Sequence, residues 1–497
     1  MEKKVVIAGW GQVTQGREQK EKILDPLGLM TKAAYRAAQS AGDANILKKI
    51  DGIMAVRVLS TFYSGTADLL SRKIGASPRY KLVSRIGGNS PQSLVNKAAG
   101  MIARGELDTV LIAGAEAYYP RSKEDIGEGN ALFKGLVGEH ERDDMIGSSE
   151  LEDRHGISLP VQGFPLFEVA LWAESGLGLS PYLEKIGDMW SRFSQVAANH
   201  QNAWTKAPLS AAEITTPTRT NRMIAFPYTK FMNSLISVDL GAAIILMSEE
   251  KAGTLKSKGN NPVFFLSGAY VEDRQRFLIQ RTSFTASPPL GIAAENALRR
   301  SHLSLDDVDC FDLYSCFPCS VTIARRTLGI KDHNRPLTLT GGLGFFGGPG
   351  NNYCLHAIAT LAKSISEGRY KTGMITGIGW FMHKHAVGIY SSVPRETGLR
   401  SHDLADEKDP VVGNEPVKQI EEASGKGFIE TYTVIYSRSG RPEKAVIYGM
   451  TEKGYRFVAQ TPERSEIFKA LATENHVGKA VRLSHDSRKR LNVAEVL

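Results

Sequence analysis

The chain has 497 residues, 42% apolar and 23% charged, a balance ordinary for a globular protein large enough for two or three domains. Sixty-one basic residues against 53 acidic ones leave a formal charge of +8, modest for this length. That suits a small anionic ligand at least as well as nucleic acid, and no Lys/Arg stripe with interleaved aromatics favours the latter.

Met1-Glu-Lys-Lys leads straight into the apolar run Val5-Val-Ile-Ala8, with neither the length nor the cleavage site of a signal peptide. No uncharged apolar stretch is long enough to span a bilayer, so a protein without a membrane span, in the cytoplasm, is expected. Gly9-Trp-Gly11 lacks the third glycine of a dinucleotide fingerprint. A helix over 26–40, a strand over 52–56 and a helix over 64–74 follow.

Arg85-Ile-Gly-Gly-Asn-Ser-Pro-Gln-Ser93 then reads as a glycine turn opening a helix. Leu94, Val95, Ala98, Ala99, Ile102 and Ala103 recur at helical spacing, and Ser90 or Asn89 is placed to cap the helix. Thr109-Val-Leu-Ile-Ala113 is a short run of the kind buried in a parallel sheet. A glycine turn at a helix start aims unpaired backbone N–H groups at whatever lies above it, which suits an oxyanion or phosphate; the bland alternative is a tight strand-to-helix connection. After Glu116 the periodicity breaks down until residue 223, and an excursion of that length generally shapes a binding site. The chain returns at Ile224–Asn233 and Val238–Met247, which close the first half with an apolar strand or a buried helix pair.

A second copy of the turn follows. Gly341-Gly-Leu-Gly-Phe-Phe-Gly-Gly-Pro-Gly-Asn-Asn352 precedes a helix over 353–365 and the strand Thr372-Gly-Met-Ile-Thr-Gly-Ile-Gly-Trp380. Matching strands lie upstream of each copy, at 50–56 and 308–314. The chain reads as internally duplicated, with a period too long for a solenoid. Four cysteines make no disulfide framework in so long a chain, which implies a reducing compartment. Cys316-Phe-Pro-Cys319 has the spacing of half a zinc site, but no second pair follows, so no metal is expected and buried thiols are the simpler account. Beyond Pro394 a polar linker (395–422) leads to alternating strands joined by glycine turns, a small β-barrel.

Two βαβ-type halves, the turn at Gly87-Gly88, Val238-Asp-Leu-Gly-Ala-Ala243 and Gly341-Gly through Gly347-Gly-Pro349 together resemble the thiolase superfamily. The resemblance is closest to thiolase-like protein type 1, an acetyl-CoA acetyltransferase-like branch related to sterol-carrier thiolases. It implies an α/β, duplicated five-layered fold over 1–261 (including the excursion 117–223) and 262–400, plus an OB-like barrel over 415–497. It also implies acyl-CoA as ligand or substrate, with no other cofactor, no nucleic-acid partner, a role in lipid metabolism, and a monomer or homodimer.

Carried over by position, the family's nucleophilic cysteine falls at Gly88, its Gly-His-Pro histidine at Gly348 and its second cysteine at Gly377. Thiolysis needs a thiolate, a base to activate it and a thiol to move the α-proton, so ordinary thiolase activity is not expected. The backbone of Gly88, Asn89, Ser90, Gly348, Gly377 and Gly379 is left as an oxyanion cradle, widened by the extra glycine. Tyr314, Cys316 and His385, with His383 and Asn351 nearby, are the candidate side chains for a non-standard acyltransferase or C–C bond site. Lys185, Arg192, Arg219 and Arg222 are candidates for the CoA phosphates. Two readings stay open: a non-catalytic acyl-CoA binder, or an enzyme with this altered site. The triple change Gly88→Cys, Gly348→His and Gly377→Cys is expected to give cleavage of acetoacetyl-CoA if the pocket keeps its shape.

Overall fold

The computed structural model describes residues 3–19, 23–120, 147–255, 261–332, 335–395 and 412–497. Part of the excursion (121–146) and most of the linker (396–411) lie outside the described residues. In chain order the strands of the first half are β1 (Val5–Thr14), β2 (Gly52–Ala55), β3 (Tyr80–Val83), β4 (Thr109–Ala117), β5 (Met223–Ala225), β6 (Tyr228–Thr229) and β7 (Asp239–Ser248). The second half supplies β8 (Phe264–Glu272), β9 (Cys310–Asp312), β10 (Thr372–Gly379) and β11 (Lys384–Ser391).

Nine of these form one mixed sheet in the order β3-β2-β4-β7-β1-β8-β11-β10-β9. It is two half-sheets joined edge to edge where Val5 and Val6 of β1 meet Phe265 and Phe264 of β8. Each half has parallel strands outside and antiparallel ones at the junction, the duplication expected from the two glycine turns. The second half replaces a β3 equivalent with an irregular segment: the amides of Phe311 and Leu313 donate to the carbonyls of Pro336 and Leu337, both at 2.9 Å. β7 is buried at all ten positions, which is why its sequence runs apolar without alternation.

Two central helices, Ser90–Ala103 and Tyr353–Ser366, pack against each other and against strands of both half-sheets. The helix Pro26–Ser40 covers the outer face of the first half-sheet, and Pro288–Ser301 that of the second. The result is five layers, helix, sheet, helix pair, sheet, helix. Close approach explains two glycines of β1: a Cβ at Gly11 would meet the Ala37 amide nitrogen at 2.6 Å, and one at Gly9 the Ala37 carbonyl carbon at 3.1 Å.

The C-terminal strands β12 (Gly425–Tyr436), β13 (Pro442–Thr451), β14 (Arg456–Gln460), β15 (Ala480–Asp486) and β16 (Leu491–Val496) close into a five-strand barrel, because β12 pairs with both β13 and β15. The short hairpin β5–β6 adds to this second sheet, at Ala225 opposite Ile435, so Ile224–Asn233 does not close the first half-sheet as the sequence suggested; β7 alone does. Barrel and core share buried polar contacts. Glu152 accepts from the Ile279 amide at 2.7 Å and the Tyr448 hydroxyl at 3.1 Å. The His155 Nε2 accepts from the Asn492 amide at 2.9 Å, which puts the ring proton on Nδ1, 2.7 Å from the Leu151 carbonyl. Among the described residues no helix is long and apolar enough to cross a membrane.

Candidate functional site

The two glycine turns meet. The Gly87 amide donates to Asn351 Oδ1 at 2.9 Å, and Asn351 Nδ2 donates to the Arg57 carbonyl at 3.0 Å, so one side chain from the second turn fixes the first. The end of β10 passes across the start of the first central helix. A Cβ at Gly377 would sit 2.7 Å from Asn89 Cα, and one at Gly379 would sit 2.6 Å from Asn89 Oδ1, so only glycine admits this approach. Gly88, Asn89, Gly377 and Gly379 therefore do converge. Gly348 lies apart from these contacts, its nearest neighbours being Ser234 and Leu343.

Neither expected cap is made. Asn89 stands at the N-cap position in a helical conformation without a capping bond, and Ser90 Oγ donates to the Arg85 carbonyl at 2.7 Å. Ser90 thus braces the turn. Asn89, buried at 2% exposure, hydrogen-bonds the Tyr270 phenol, while its Oδ1 is buried without a partner.

The cradle is filled where the sequence suggested it was widened. A Cβ at Gly88 would overlap the Tyr314 hydroxyl and come within 2.8 Å of the Ile378 carbonyl. The phenol of Tyr314 thus occupies the volume a nucleophilic side chain at residue 88 would need. Its amide donates to Thr376 Oγ1 at 2.9 Å, its carbonyl accepts from Ser320 Oγ at 3.0 Å, and its ring stands edge-on to Tyr353 at 5.6 Å. Burial pushes its pKa far above 10, so it is a neutral phenol and a hydrogen-bond donor. The expectation that cysteines at 88 and 377 with a histidine at 348 would rebuild a working site is accordingly corrected. Only residue 348 has ordinary contact room for a Cβ; the other two collide with Tyr314 and with the Asn89 backbone.

The thiol nearest the cradle is Cys354, whose Sγ lies 3.0 Å from the Gly88 carbonyl and 3.5 Å from that of Thr376. Burial raises its pKa well above the normal thiol value, so it is a donor and not a thiolate. Cys316 is buried at the start of the helix Pro318–Leu328, its thiol pushed up to about 12 by desolvation and its carbonyl accepting from Ser234 Oγ at 2.8 Å. It too is no ready nucleophile.

Strand parity removes His385 from the cradle. On β11, Gly388 faces Gln92 of the first central helix and Lys384 faces Gly379, so 384, 386 and 388 point to the central layer and 385 points away from it. His385 Nε2 lies 2.9 Å from Ser287 Oγ, at the start of the outer helix, and 3.0 Å from the Met382 carbonyl. Burial lowers its pKa to about 3. His383 is also buried, with both ring nitrogens unpartnered and its pKa lowered by desolvation. The sequence reading missed Lys384, which is only 4% exposed and places its Cβ and Cδ 3.0 and 3.2 Å from where a Cβ at Gly379 would stand. Beside it β8 contributes Glu272, its register partner, and Tyr270, which donates to Glu272; Arg85 pairs with the same carboxylate at 3.0 Å. The turn between β10 and β11 holds Trp380 and Met382 at φ +47° and +63°, a strained conformation for both residues.

A cleft of about 960 Å³ opens between the excursion helix Leu179–Asn199 and residues 318–338. Lys185, Arg192, Arg325, Arg326, Lys331 and Arg335 line it against two acids, Glu184 and Asp188, and its apolar wall includes Met189, Phe193 and Leu337. Arg326 pairs with Glu174 and Arg335 with Asp306, whereas Lys185 and Arg192 make no ion pair among the described residues. Phe193 also packs over Gly342, opposite Ser315. Arg219 and Arg222 do not line this cleft; Arg222 instead donates to the Met223 and Ser437 carbonyls at 3.0 and 3.2 Å, towards the barrel.

The family profile described as thiolase-like protein type 1 additional C-terminal domain matches residues 409–488. A search of curated proteins finds no match. Among solved structures, the chain is similar to a monomeric SCP2-thiolase-like protein type 1 from Mycobacterium smegmatis at 32% identity and TM-score 0.82, covering 99% of both chains. An Ltp2-ChsH2(DUF35) aldolase (17% identity, TM-score 0.61, 79% of this chain and 98% of that one) shares the fold. So does an acetyl-CoA acetyltransferase from Syntrophomonas wolfei (17% identity, TM-score 0.58, 79% and 100%). Full-length similarity at 32% identity, together with the matched C-terminal domain, shows that this chain belongs to the SCP2-thiolase-like protein type 1 family.

Proposed function

We propose that this protein binds an acyl-CoA non-covalently and does not carry out thiolysis. The observation that carries the reading is the Tyr314 phenol in the space of a side chain at residue 88. A glycine there supplies no nucleophile, Cys354 and Cys316 are protonated thiols, and His385 lies on the far side of the sheet. What is left is a set of donors suited to holding a thioester carbonyl: the phenol, and the backbone of Gly88 and Gly379. The basic cleft behind Phe193 fits the phosphates of CoA, with Lys185 and Arg192 as its available cations. Monomeric character, printed for the Mycobacterium smegmatis protein, is proposed here too.

A second reading is C–C bond chemistry on an acyl-CoA with Tyr314 as proton donor. The same phenol favours it, as does the fold shared with a protein described as an aldolase.

Titration calorimetry with CoA and acetyl-CoA, run beside a thiolysis assay with acetoacetyl-CoA, tests the proposal. Both ligands should bind, with no thiolysis. Tyr314→Phe should weaken acetyl-CoA several-fold and leave CoA unchanged, while Lys185→Glu with Arg192→Glu should weaken both. Absence of binding at millimolar ligand, or thiolysis by the unmodified protein, overturns it.

A further inference from the structure

We propose that a second cavity, beside the basic cleft, holds the adenine of CoA while the cleft holds its phosphates. The inference rests on the acyl-CoA reading above and deepens it. The cavity, about 450 Å³, lies at the end of the excursion helix Leu179–Asn199 and against the second central helix, and takes in Asn199, His200, Asn202, Gln12 and Thr360. Val196, Pro336 and Thr338 line both cavity and cleft, so the two are neighbouring compartments with a wall in common. Arg192 in the cleft and Asn199 in the cavity stand two turns apart on one helix, about 10 Å, the reach of a single nucleotide.

The cavity carries an unmet amide. Asn202 is only 9% exposed; its backbone amide donates to His200 Nδ1 at 3.1 Å and its carbonyl accepts from Thr14 Oγ1 at 2.6 Å, but its side chain makes no hydrogen bond among the described residues. A buried amide with donor and acceptor both unmet is costly unless a ligand or water meets it. The other polar groups are engaged with one another. With Nδ1 accepting, the His200 ring proton is on Nε2, which donates to Thr360 Oγ1 at 3.1 Å. Gln12 Nε2 donates to the same oxygen at 3.0 Å, and Gln12 Oε1 accepts from His356 Nδ1 at 2.8 Å. On this fixed floor, Asn202 is left to read a ligand, together with Oδ1 of Asn199, whose Nδ2 donates to the Gln195 carbonyl at 3.0 Å.

A side-chain amide of this kind matches adenine. Its oxygen accepts from the exocyclic N6 amine and its nitrogen donates to the adjacent N7, whereas guanine presents two acceptors on that edge and is met by a cation. The cations on this cavity, Lys363 and Arg369, both pair with Glu367, at 3.8 and 2.8 Å. The cleft has the opposite balance, six basic residues against Glu184 and Asp188. A neutral base in one compartment and phosphates in the other follow that division of charge. The volume suits a nucleoside, and Val196, Pro336 and Leu339 supply an apolar wall for its rings.

Calorimetry of the full chain with acetyl-CoA, acetyl-phosphopantetheine and the 3′,5′-bisphosphates of adenosine and guanosine is the test. Acetyl-CoA should bind roughly tenfold more tightly than acetyl-phosphopantetheine, and the adenosine bisphosphate roughly tenfold more tightly than the guanosine one. Asn202→Leu should weaken acetyl-CoA about tenfold and leave acetyl-phosphopantetheine unchanged. Asn202→Asp, which accepts but cannot donate, should bring the two bisphosphates within about twofold. An unchanged melting temperature for each variant excludes a folding effect. Acetyl-CoA binding that is indifferent to Asn202→Leu overturns this inference and leaves the acyl-CoA reading standing, as do bisphosphates that bind equally or not at all while acetyl-CoA binds. No binding of acetyl-CoA removes both.

Discussion

Gly88→Ala should be costly, and should cost much less when Tyr314→Ala is already in place. Residue 88 has no left-handed backbone requirement, so the whole penalty of an added methyl is steric. That methyl overlaps the Tyr314 hydroxyl and approaches the Ile378 carbonyl to 2.8 Å, in a turn braced by Asn351 and Ser90. Overpacking a closed interior by one methyl costs about 1–3 kcal/mol, and the depth of the overlap puts this site at the upper end, about 3. Tyr314→Ala alone empties a ring-sized volume and should cost about 3–4 kcal/mol. In the double variant the methyl enters space the ring has left, so the total should fall short of the sum by about 2 kcal/mol. Urea unfolding of the four proteins, followed by tryptophan fluorescence, gives the coupling. Additivity within about 0.5 kcal/mol would mean that the two residues do not compete for one space, and the account of the missing nucleophile would fail.

The same geometry predicts that Gly88→Cys with Tyr314→Ala yields a thiol that iodoacetamide alkylates in the native protein, whereas the four natural cysteines, all buried, should react with Ellman's reagent only after denaturation. Labelling of Cys354 in the native state would contradict its burial under the turn. His155 should make the protein acid-sensitive: its folded pKa of about 4 lies below the unfolded value, so its contribution is complete above about pH 6.5 and lost as the pH falls through 4. The amount is on the order of 2–3 kcal/mol, and His155→Gln should flatten the melting temperature between those limits. Glu116 works in the opposite direction. Desolvation raises it to about 7 against donors from Leu59 and Ser60, so stability held below about pH 4.5 should decline as the pH rises through 7. Arg456→Met should cost about 2–3 kcal/mol, discounted because Glu430 is a third exposed, as Glu430 and the Arg281 carbonyl lose their partner.

The duplication was legible because long apolar runs and two glycine turns repeat in the same order, and periodicity survives without knowledge of tertiary contacts, whereas the five layers were implied only by the family resemblance. β3 was not legible: it is four residues at a sheet edge, mostly half-buried, with no alternation to detect. Of the glycines that converge at the cradle, Gly88 was found from its turn pattern, and Gly377 and Gly379 from the positions that the family resemblance assigned. Tyr314 was named, but its place over Gly88 joins residues from opposite halves of the chain, a juxtaposition that no local pattern encodes. His385 was preferred over Lys384 for a related reason. Neighbouring polar residues such as Lys384 and His385 on a strand point to opposite faces, and only the packed central helix reveals which parity faces the site. Arg219 and Arg222 were chosen by charge alone, and charge does not say which surface a loop presents.

The joint between the half-sheets has a consequence for synthesis. β1 leaves the ribosome long before either of its partners, β7 beginning at Asp239 and β8 at Phe264. At roughly 5–20 residues per second it waits on the order of 10–50 seconds with both edges open. Val5-Val-Ile-Ala8 is an apolar segment of the kind that pairs promiscuously during such an interval. Nascent chains halted before residue 239 should therefore bind holdase chaperones through the β1 segment Val5–Thr14, and those extended past residue 280 should release them.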